Sequence, residues 1–172
     1  MENLTALMAR IVNTHHVYLR RKLPRLEEIM AKMTGNHGRE RPELFTIQQL
    51  LQDLRDDLTA HLAKEEQILF PFVERLERSR ESGGPAPAAC FQSVQFPIRV
   101  MFAEHDRAET LLAELRSATG NYNPPKGACD CYARFFEGLA NLETDLLEHI
   151  RVENQELFPR AVQLEEATAA CR

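Results

Sequence analysis

Apolar side chains recur every three or four residues along four long stretches of the chain. These stretches run from about Asn3 to Met33, from Pro42 or Thr46 to Arg80, from Ser93 to Ala118 and from Asp130 to Glu166. The spacing is typical of amphipathic helices, and none of the stretches shows the alternation of a β-strand. Because short connections favour antiparallel neighbours, the pattern predicts an all-α, up-down-up-down four-helix bundle.

Turn-forming residues separate the stretches and divide the chain into two helical hairpins. We expect the first hairpin at about residues 3–80, a Gly- and Pro-rich linker at about 81–92 and the second hairpin at about 93–167. A chain of 172 residues has the usual size of one domain, so residues 1–172 are expected to form a single domain. The cluster Thr34-Gly35-Asn36-His37-Gly38 is a strong stop signal and predicts that the first helix ends there.

Within each stretch, residues at alternating spacings of three and four form an axial row, the face that points to the bundle axis. The rows are Val12, His16, Leu19, Leu23, Leu26, Met30 and Met33; Leu51, Leu54, Leu58, His61, Glu65, Ile68 and Phe72; Val94, Ile98, Met101, His105, Ala108, Leu112 and Leu115; and Phe135, Leu139, Leu142, Leu146, His149 and Glu153. Each row includes one histidine, and two rows include a glutamate one turn later. An unpartnered polar group costs roughly 2–7 kcal/mol to bury, so these side chains predict a bound metal that compensates them.

A repeated motif indicates that the polar positions of the two hairpins are related. The sequence His-Leu-Ala-Lys-Glu at 61–65 recurs as His-Ile-Arg-Val-Glu at 149–153. In each copy, Leu-Phe-Pro follows the glutamate after three intervening residues. The second copy begins 88 residues after the first, and His105 follows His16 by 89 residues. A histidine and a glutamate four residues apart lie on one helical face and reach the same ion. The predicted metal ligands are His16, His61, Glu65, His105, His149 and Glu153.

This donor set restricts the metal. If both glutamates bridge two metals, each metal gains two imidazole nitrogens and two carboxylate oxygens, and an oxo or hydroxo bridge adds a fifth donor. A mixed set of this kind suits iron, manganese or zinc better than calcium or magnesium. Ferritin-like bundles use Glu-x-x-His with further glutamates, so the order His-x-x-x-Glu argues against that class.

Other polar residues lie near the axial rows without belonging to them. His15 is one position off its row and His37 falls in a glycine-rich turn, so both are expected at the surface. Glu109, four residues after His105, is a further candidate ligand beside the row. Ligating histidines usually donate their second ring nitrogen to a polar partner. The candidates for such partners are Tyr18, Glu104 and Asp106.

Composition and cysteine spacing narrow the class of protein. The formal net charge of −5 argues against a nucleic-acid partner. No apolar run approaches the roughly 18 residues of a membrane span, and the first residues do not resemble a signal peptide, so we expect a cytoplasmic protein with no membrane partner. The four cysteines include no CxxC pair. A relaxed disulfide between Cys129 and Cys131 would be awkward, so incidental thiols are expected, with metal binding or redox sensing as the alternative.

Three parts of the sequence resemble the hemerythrin-like (HHE cation-binding) domain, and within it the di-iron iron–sulfur cluster repair family. They are the segment His15-His16-Val-Tyr-Leu-Arg-Arg-Lys-Leu-Pro24, the two His-x-x-x-Glu…Leu-Phe-Pro blocks and Glu104-His105-Asp106. The resemblance covers nearly the whole chain. It implies an oxo- or hydroxo-bridged centre of two iron ions on the six residues named above, with both glutamates bridging; manganese and zinc are the alternatives.

Two departures from the related families bear on function. Oxygen-carrying hemerythrins have a further histidine four positions after the ligand on the third helix, and here that position is Glu109. This difference argues against a simple oxygen carrier. Members of the repair family commonly carry a short N-terminal domain with adjacent cysteines, which we expect to be lacking here because the chain starts almost directly at the bundle.

The resemblance implies a non-haem di-iron protein that acts in nitrosative or oxidative stress. It would donate iron, or bind and reduce nitric oxide, with nitric oxide, oxygen or peroxide as small ligands and damaged iron–sulfur proteins as partners. A second hypothesis is a binding or sensor protein for oxygen, nitric oxide or iron without turnover. A third is a structural metal site with no redox role. The sequence does not decide whether the protein is an enzyme.

Overall fold

Four long helices account for the architecture of the computed structural model, which describes residues 2–85, 87–88 and 91–169. The first consists of Leu4–Ile11, the π-helical turn Val12–His16 and Val17–His37; the second of Glu43–Lys64, the π-helical turn Glu65–Leu69 and Phe70–Ser82. The third is Gln95–Ala118, and the fourth consists of Asp130–Val152, the π-helical turn Glu153–Leu157 and Phe158–Ala169. All regular secondary structure in the described residues is helical, which confirms the predicted all-α bundle. Of the expected linker, residues 86, 89 and 90 lie outside the described residues.

The first helix ends inside the predicted stop cluster, about one turn beyond Met33. It continues through Thr34 to His37, and Gly38 is its C-terminal cap. The hydroxyl of Thr34 donates a hydrogen bond to the carbonyl of Met30, and the amide of Gly38 still donates to the carbonyl of Thr34. A glycine inside a helix costs only about 1 kcal/mol, so the turn residues are accommodated as a final helical turn.

Carboxylates from the ends of the second and fourth helices fix the starts of the first and third. Glu77 accepts hydrogen bonds from the amides of Leu4 and Thr5, at 2.7 and 2.8 Å. Glu165 accepts from the amide of Val94 at 2.9 Å and from the hydroxyl of Ser93 at 2.6 Å. The first amides of a helix have no partner within the helix, so the two carboxylates supply one. Each contact also ties together the two helices of a hairpin at the end opposite their connection.

The apolar core is divided into two clusters by a polar layer. One cluster extends from Leu19 along the bundle toward the connections after the first and third helices. The other is formed around Leu7 and Phe158, near the starts of the first and third helices. The six predicted ligands are buried between the two clusters. The predicted axial rows therefore describe the core correctly at nearly every position.

Ile68 is the one exposed residue of the predicted rows, and Val12 is only partly buried. Ile68 is 44% exposed, whereas its neighbour Leu69 is 1% exposed and packs in the core. The cause is the π-helical turn Glu65–Leu69, in which the amide of Phe70 donates to the carbonyl of Glu65. One extra residue in the turn rotates the positions that follow it, so a fixed spacing of three and four places the wrong residue inward.

Cys129 and Cys131 are joined by a disulfide bond. The expectation of two incidental thiols is therefore wrong, because the two sulfurs are bonded to each other. Cys129 has an extended backbone and the helix begins at Asp130, so the two Cα atoms lie 5.3 Å apart. That separation falls in the ordinary range for disulfide-bonded cysteines.

Candidate metal centre

The six predicted ligands converge in the polar layer although they come from all four helices. Glu65 Oε2 lies 3.4 Å from His16 Nε2 and 3.5 Å from His61 Nε2. Glu153 Oε1 lies 2.9 Å from His149 Nε2, and its Oε2 lies 3.2 Å from His105 Nε2. The Nε2 atoms of His61 and His105 are 3.2 Å apart. All four imidazoles thus present Nε2 to the same small volume.

These side chains form two overlapping donor sets whose atoms lie within 4.8 Å of one another. The first set is His16, Glu65, His149 and Glu153; the second is His61, Glu65, His105 and Glu153. Both glutamates belong to both sets, whereas each histidine belongs to one. This arrangement is the one expected if two adjacent ions share two carboxylates.

The second and fourth helices widen at the glutamate of each repeated motif. Glu65 and Glu153 each begin a π-helical turn one turn after a histidine of the same helix. Each turn is followed by Phe-Pro, and a proline has no amide to continue the α-helical ladder. The wider turn therefore occurs where the ladder is already interrupted.

The electrostatics of the site fit a cation. Burial lowers the pKa of His16 to about 4, and the neighbouring charge of His149 adds to that effect. Burial and the nearby charge of Glu153 raise the pKa of Glu65 well above its usual range. Burial opposes the ionisation of Glu153 too, but His149 and His105 hold its pKa well below its usual range. A bound cation would favour neutral imidazoles and ionised carboxylates together.

Buried polar atoms without hydrogen-bond partners test the fit further. Within the described residues, Nε2 of His16, both carboxylate oxygens of Glu65 and Oε2 of Glu153 make no hydrogen bond although they are shielded from solvent. Buried polar groups almost always have a partner, so four such atoms facing one another need a compensating group. The residues present fit a pair of metal ions.

Three of the four histidines are oriented by polar side chains behind them. His16 Nδ1 donates to Glu66 at 2.6 Å, and Arg20 donates to the same oxygen at 2.8 Å. His61 Nδ1 donates to Glu104 at 2.9 Å, and Glu104 also pairs with Lys64. His105 Nδ1 donates to Asn154 at 2.8 Å.

The predicted outer partners are therefore partly right. Glu104 has the role expected of it, whereas Asp106 is exposed and Tyr18 is only half-buried. Glu66 and Asn154 were missed by sequence reasoning, although a signal was present. They directly follow the two glutamate ligands and are 88 residues apart, the spacing of the repeat.

The remaining histidines and Glu109 lie outside the two donor sets. His15, expected at the surface, is 6% exposed, so that expectation is wrong. Its Nδ1 donates to Asp145 at 3.0 Å, and its ring stacks on His149 with centroids 5.3 Å apart. His37 is half-buried beside Tyr132, and Glu109 is exposed and in neither donor set.

A small pocket borders the candidate centre. Its walls include His61, His105 and His149, and Glu104 lies partly exposed beside them. Leu58, Ala108, Leu146 and Ile150 supply the apolar part of the lining. Its volume of about 10 Å³ is the space of one water-sized molecule.

Comparison with known proteins agrees with this geometry. The chain matches the hemerythrin HHE cation-binding domain over residues 7–161. It is 36% identical over 160 residues to the iron–sulfur cluster repair protein YtfE of Yersinia pseudotuberculosis serotype IB (strain PB1/+), and equally to the protein of that name from Yersinia pestis (strain Pestoides F). Each alignment covers 93% of this chain and 66% of the relative, so the chain spans slightly less than two thirds of their length.

Among the described residues, no helix combines the length and apolar character that crossing a bilayer requires. The four-helix bundle, the paired donor sets at its centre and the match over residues 7–161 agree with one another. The chain belongs to the hemerythrin HHE cation-binding family.

Proposed function

We propose that this protein binds two metal ions between its four helices. In this proposal His16 and His149 would hold one ion, His61 and His105 would hold the other, and Glu65 and Glu153 would contribute a carboxylate to both. The observation that carries the proposal is that both glutamates belong to both donor sets. A single ion would leave two of the buried histidines without a compensating partner.

Iron is the metal that we propose for both positions. Four imidazole nitrogens and two carboxylates suit iron, manganese and zinc. The hemerythrin-like family favours iron among the three, with an oxo or hydroxo bridge as a further donor. A bound iron pair would supply redox chemistry and an open position for a small ligand.

The function supported best is iron–sulfur cluster repair in the cytoplasm under nitrosative or oxidative stress. The relatives that carry the name iron–sulfur cluster repair protein align with 93% of this chain. Under this proposal the protein donates iron to damaged iron–sulfur proteins, or binds and reduces nitric oxide. The small pocket beside His61, His105 and His149 places a solvent-sized space next to the candidate centre, where a small ligand would approach.

The chain's own side chains define what the centre would do. The apolar lining of the pocket limits water beside the ions, and Glu104 keeps the ring of His61 in place through Nδ1. Glu104, which lines the pocket, pairs with the partly exposed Lys64. We expect small neutral ligands to enter here and hydrated anions to be disfavoured by Glu104.

A direct test of the centre is metal analysis of the protein and two variants. We expect two iron ions per chain in the wild type, because two donor sets are complete. His61→Ala removes one nitrogen ligand, so it should lose at least one iron and change the visible absorption. Gln67→Ala, an exposed position in the same π-helical turn as Glu65, is the matched control and should retain both.

Repair is tested by adding the iron-loaded protein to an iron–sulfur dehydratase inactivated with nitric oxide. Recovery of dehydratase activity above that given by an equal amount of free ferrous iron supports repair. No recovery, together with a reversible spectral change on adding nitric oxide, would instead support the sensor hypothesis. A chain that binds one zinc or no metal would contradict the di-iron proposal itself.

A further inference from the structure

A second group of potential ligands lies at the other end of the bundle from the chain's first residues. His37 closes the first helix, and Cys129 and Cys131 flank the first residue of the fourth. One ring nitrogen of His37 and the two sulfurs lie within 4.8 Å of one another. The three residues come from two different elements, so the fold and not the local sequence brings them together.

The surrounding residues hold the group in place. The ring of His37 packs on Tyr132 with centroids 5.9 Å apart, and Tyr132 is buried. The guanidinium of Arg41 covers the same tyrosine ring at 5.8 Å. Gly127 has φ +76°, a left-handed conformation that turns the connection back before Cys129. His37 is half-buried and Cys129 is exposed, so an ion could reach the group from solvent.

The group is separate from the histidine–glutamate centre. His16 and His37 are in the same long helix, and 21 residues of helix correspond to roughly 30 Å. The ligand chemistry differs as well, since two sulfurs and one imidazole replace the nitrogen and oxygen donors of the central layer. Thiolates with imidazole select thiophilic ions such as Zn²⁺.

We propose that His37, Cys129 and Cys131 form a redox-controlled binding site for one thiophilic divalent ion. In the oxidised protein the two sulfurs are bonded to each other. A dithiol reductant transfers two electrons and two protons to them, the bond between the sulfurs breaks, and the reductant leaves as its own disulfide. The divalent ion then binds both sulfurs and His37, and the two thiol protons pass to solvent.

The reverse reaction releases the ion. A small disulfide accepts two electrons from the two thiolates, the bond between Cys129 and Cys131 forms again, and the oxidant leaves as two thiols after taking up two protons. The sulfurs of a tetrahedral zinc site lie roughly 3.7 Å apart, so a bonded pair cannot bind the ion in that way. Three protein ligands leave one position open, which suits an ion that is exchanged rather than held permanently.

The experiment uses protein whose central site is already loaded with iron. Cys90 and Cys171, which lie outside the described residues, are replaced by serine so that only the Cys129–Cys131 pair contributes thiols. Zn²⁺ binding is measured before and after treatment with a phosphine reductant, and Co²⁺ serves as the optical probe. We expect one additional ion per chain after reduction only, with a thiolate-to-cobalt charge-transfer band.

Variants separate this site from other thiol chemistry. Cys131→Ser should abolish the additional ion and the band, and His37→Ala and His37→Gln should weaken binding at least about tenfold. Asn36→Ala, one residue away and exposed, is the control and should bind as the parent does. Binding that is unaffected by both His37 variants would overturn the three-ligand site. Equal binding before and after reduction, or no additional ion, would overturn the proposal without affecting the iron centre.

Discussion

His149 is the one candidate ligand whose second ring nitrogen has no hydrogen-bond partner within the described residues. The other three histidines donate to Glu66, Glu104 and Asn154. The repeat aligns His15 with Glu104. His15 directly precedes His16 in the first helix, and Glu104 directly precedes His105 in the third. The ring of His15 stacks nearly parallel to His149, with an angle of 4° between the planes. We infer that His15 positions His149 by packing where Glu104 positions His61 by a hydrogen bond.

Substitution of His15 separates these two kinds of support. His15→Ala removes the stacked ring, and we expect the affinity for the more weakly held metal ion to fall about tenfold. His15→Phe keeps a flat ring and loses only the hydrogen bond to Asp145, so most of the affinity should return. The measurement is competition with a chelator, combined with the absorption spectrum of the loaded protein.

Thr14→Ala is the control for this pair of variants, because Thr14 is exposed on the same helical turn. If His15→Ala binds metal as tightly as Thr14→Ala does, stacking has no positioning role. If His15→Phe behaves like His15→Ala, the contact with Asp145 is the important one. The sequence places His15 one position off the axial row, which predicts a surface position. The π-helical turn Val12–His16 contains an extra residue, and both adjacent histidines are buried there.

At the scale of whole helices, the regular part of the pattern could be predicted and the irregular part could not. Every predicted position of the third axial row is buried, from Val94 to Leu115, because that helix is uninterrupted. The row of the second helix fails at Ile68, after a π-helical turn. The prolines that follow two of these turns were a usable signal, but the turn Val12–His16 has none directly after it.

The repeat extends to the ends of the helices. Glu77 and Glu165 are 88 residues apart, and each fixes the start of the preceding helix in its own hairpin. Partial burial opposes the ionisation of Glu77, but hydrogen bonds from Thr5 and Leu4 hold its pKa below the usual range. These contacts cross more than 70 residues of chain. Which residues the two carboxylates reach depends on how far one helix is shifted along its axis relative to its neighbour. The axial rows do not specify that shift.

Glu77→Gln is expected to lower the free energy of unfolding by about 1 kcal/mol at pH 7, the scale of a lost helix cap. The carboxylate is partly exposed, so solvent screening keeps the effect small. Since its pKa is lower in the folded state, the carboxylate stabilises the fold above the unfolded pKa, and this contribution is lost as pH falls through the folded pKa. The wild type and variant should therefore converge in stability at acid pH, measured by urea denaturation.

Glu81→Gln is the matched control for the cap, since Glu81 is an exposed glutamate of the same helix. It should unfold as the wild type does at both pH values. A Glu77→Gln variant that differs from wild type by the same amount at pH 7 and at acid pH would contradict the role of the ionised carboxylate.

For the molecule as a whole, the polar layer is both the centre of the site and a break in the apolar core. The six candidate ligands could be predicted to lie together because polar residues at axial positions are conspicuous in the sequence. The group around His37 could not, because it depends on contacts between helices, and only the spacing of the repeat pointed to the partners Glu66 and Asn154. A layer of this kind lies between two apolar clusters and must be compensated for the two halves to act as one core.

Replacing Glu65 by methionine should therefore change stability in opposite directions with and without metal. In the metal-free protein Glu65→Met removes a fully buried carboxylate whose oxygens have no hydrogen-bond partner, so the free energy of unfolding should rise by about 1–3 kcal/mol. In the metal-loaded protein it removes a ligand of both ions and should lower that free energy. Denaturation after chelator dialysis and after iron loading measures both effects. Gln67→Met, an exposed change in the same turn, should show neither, and an equal sign in both states would mean that Glu65 contributes no metal-dependent stability.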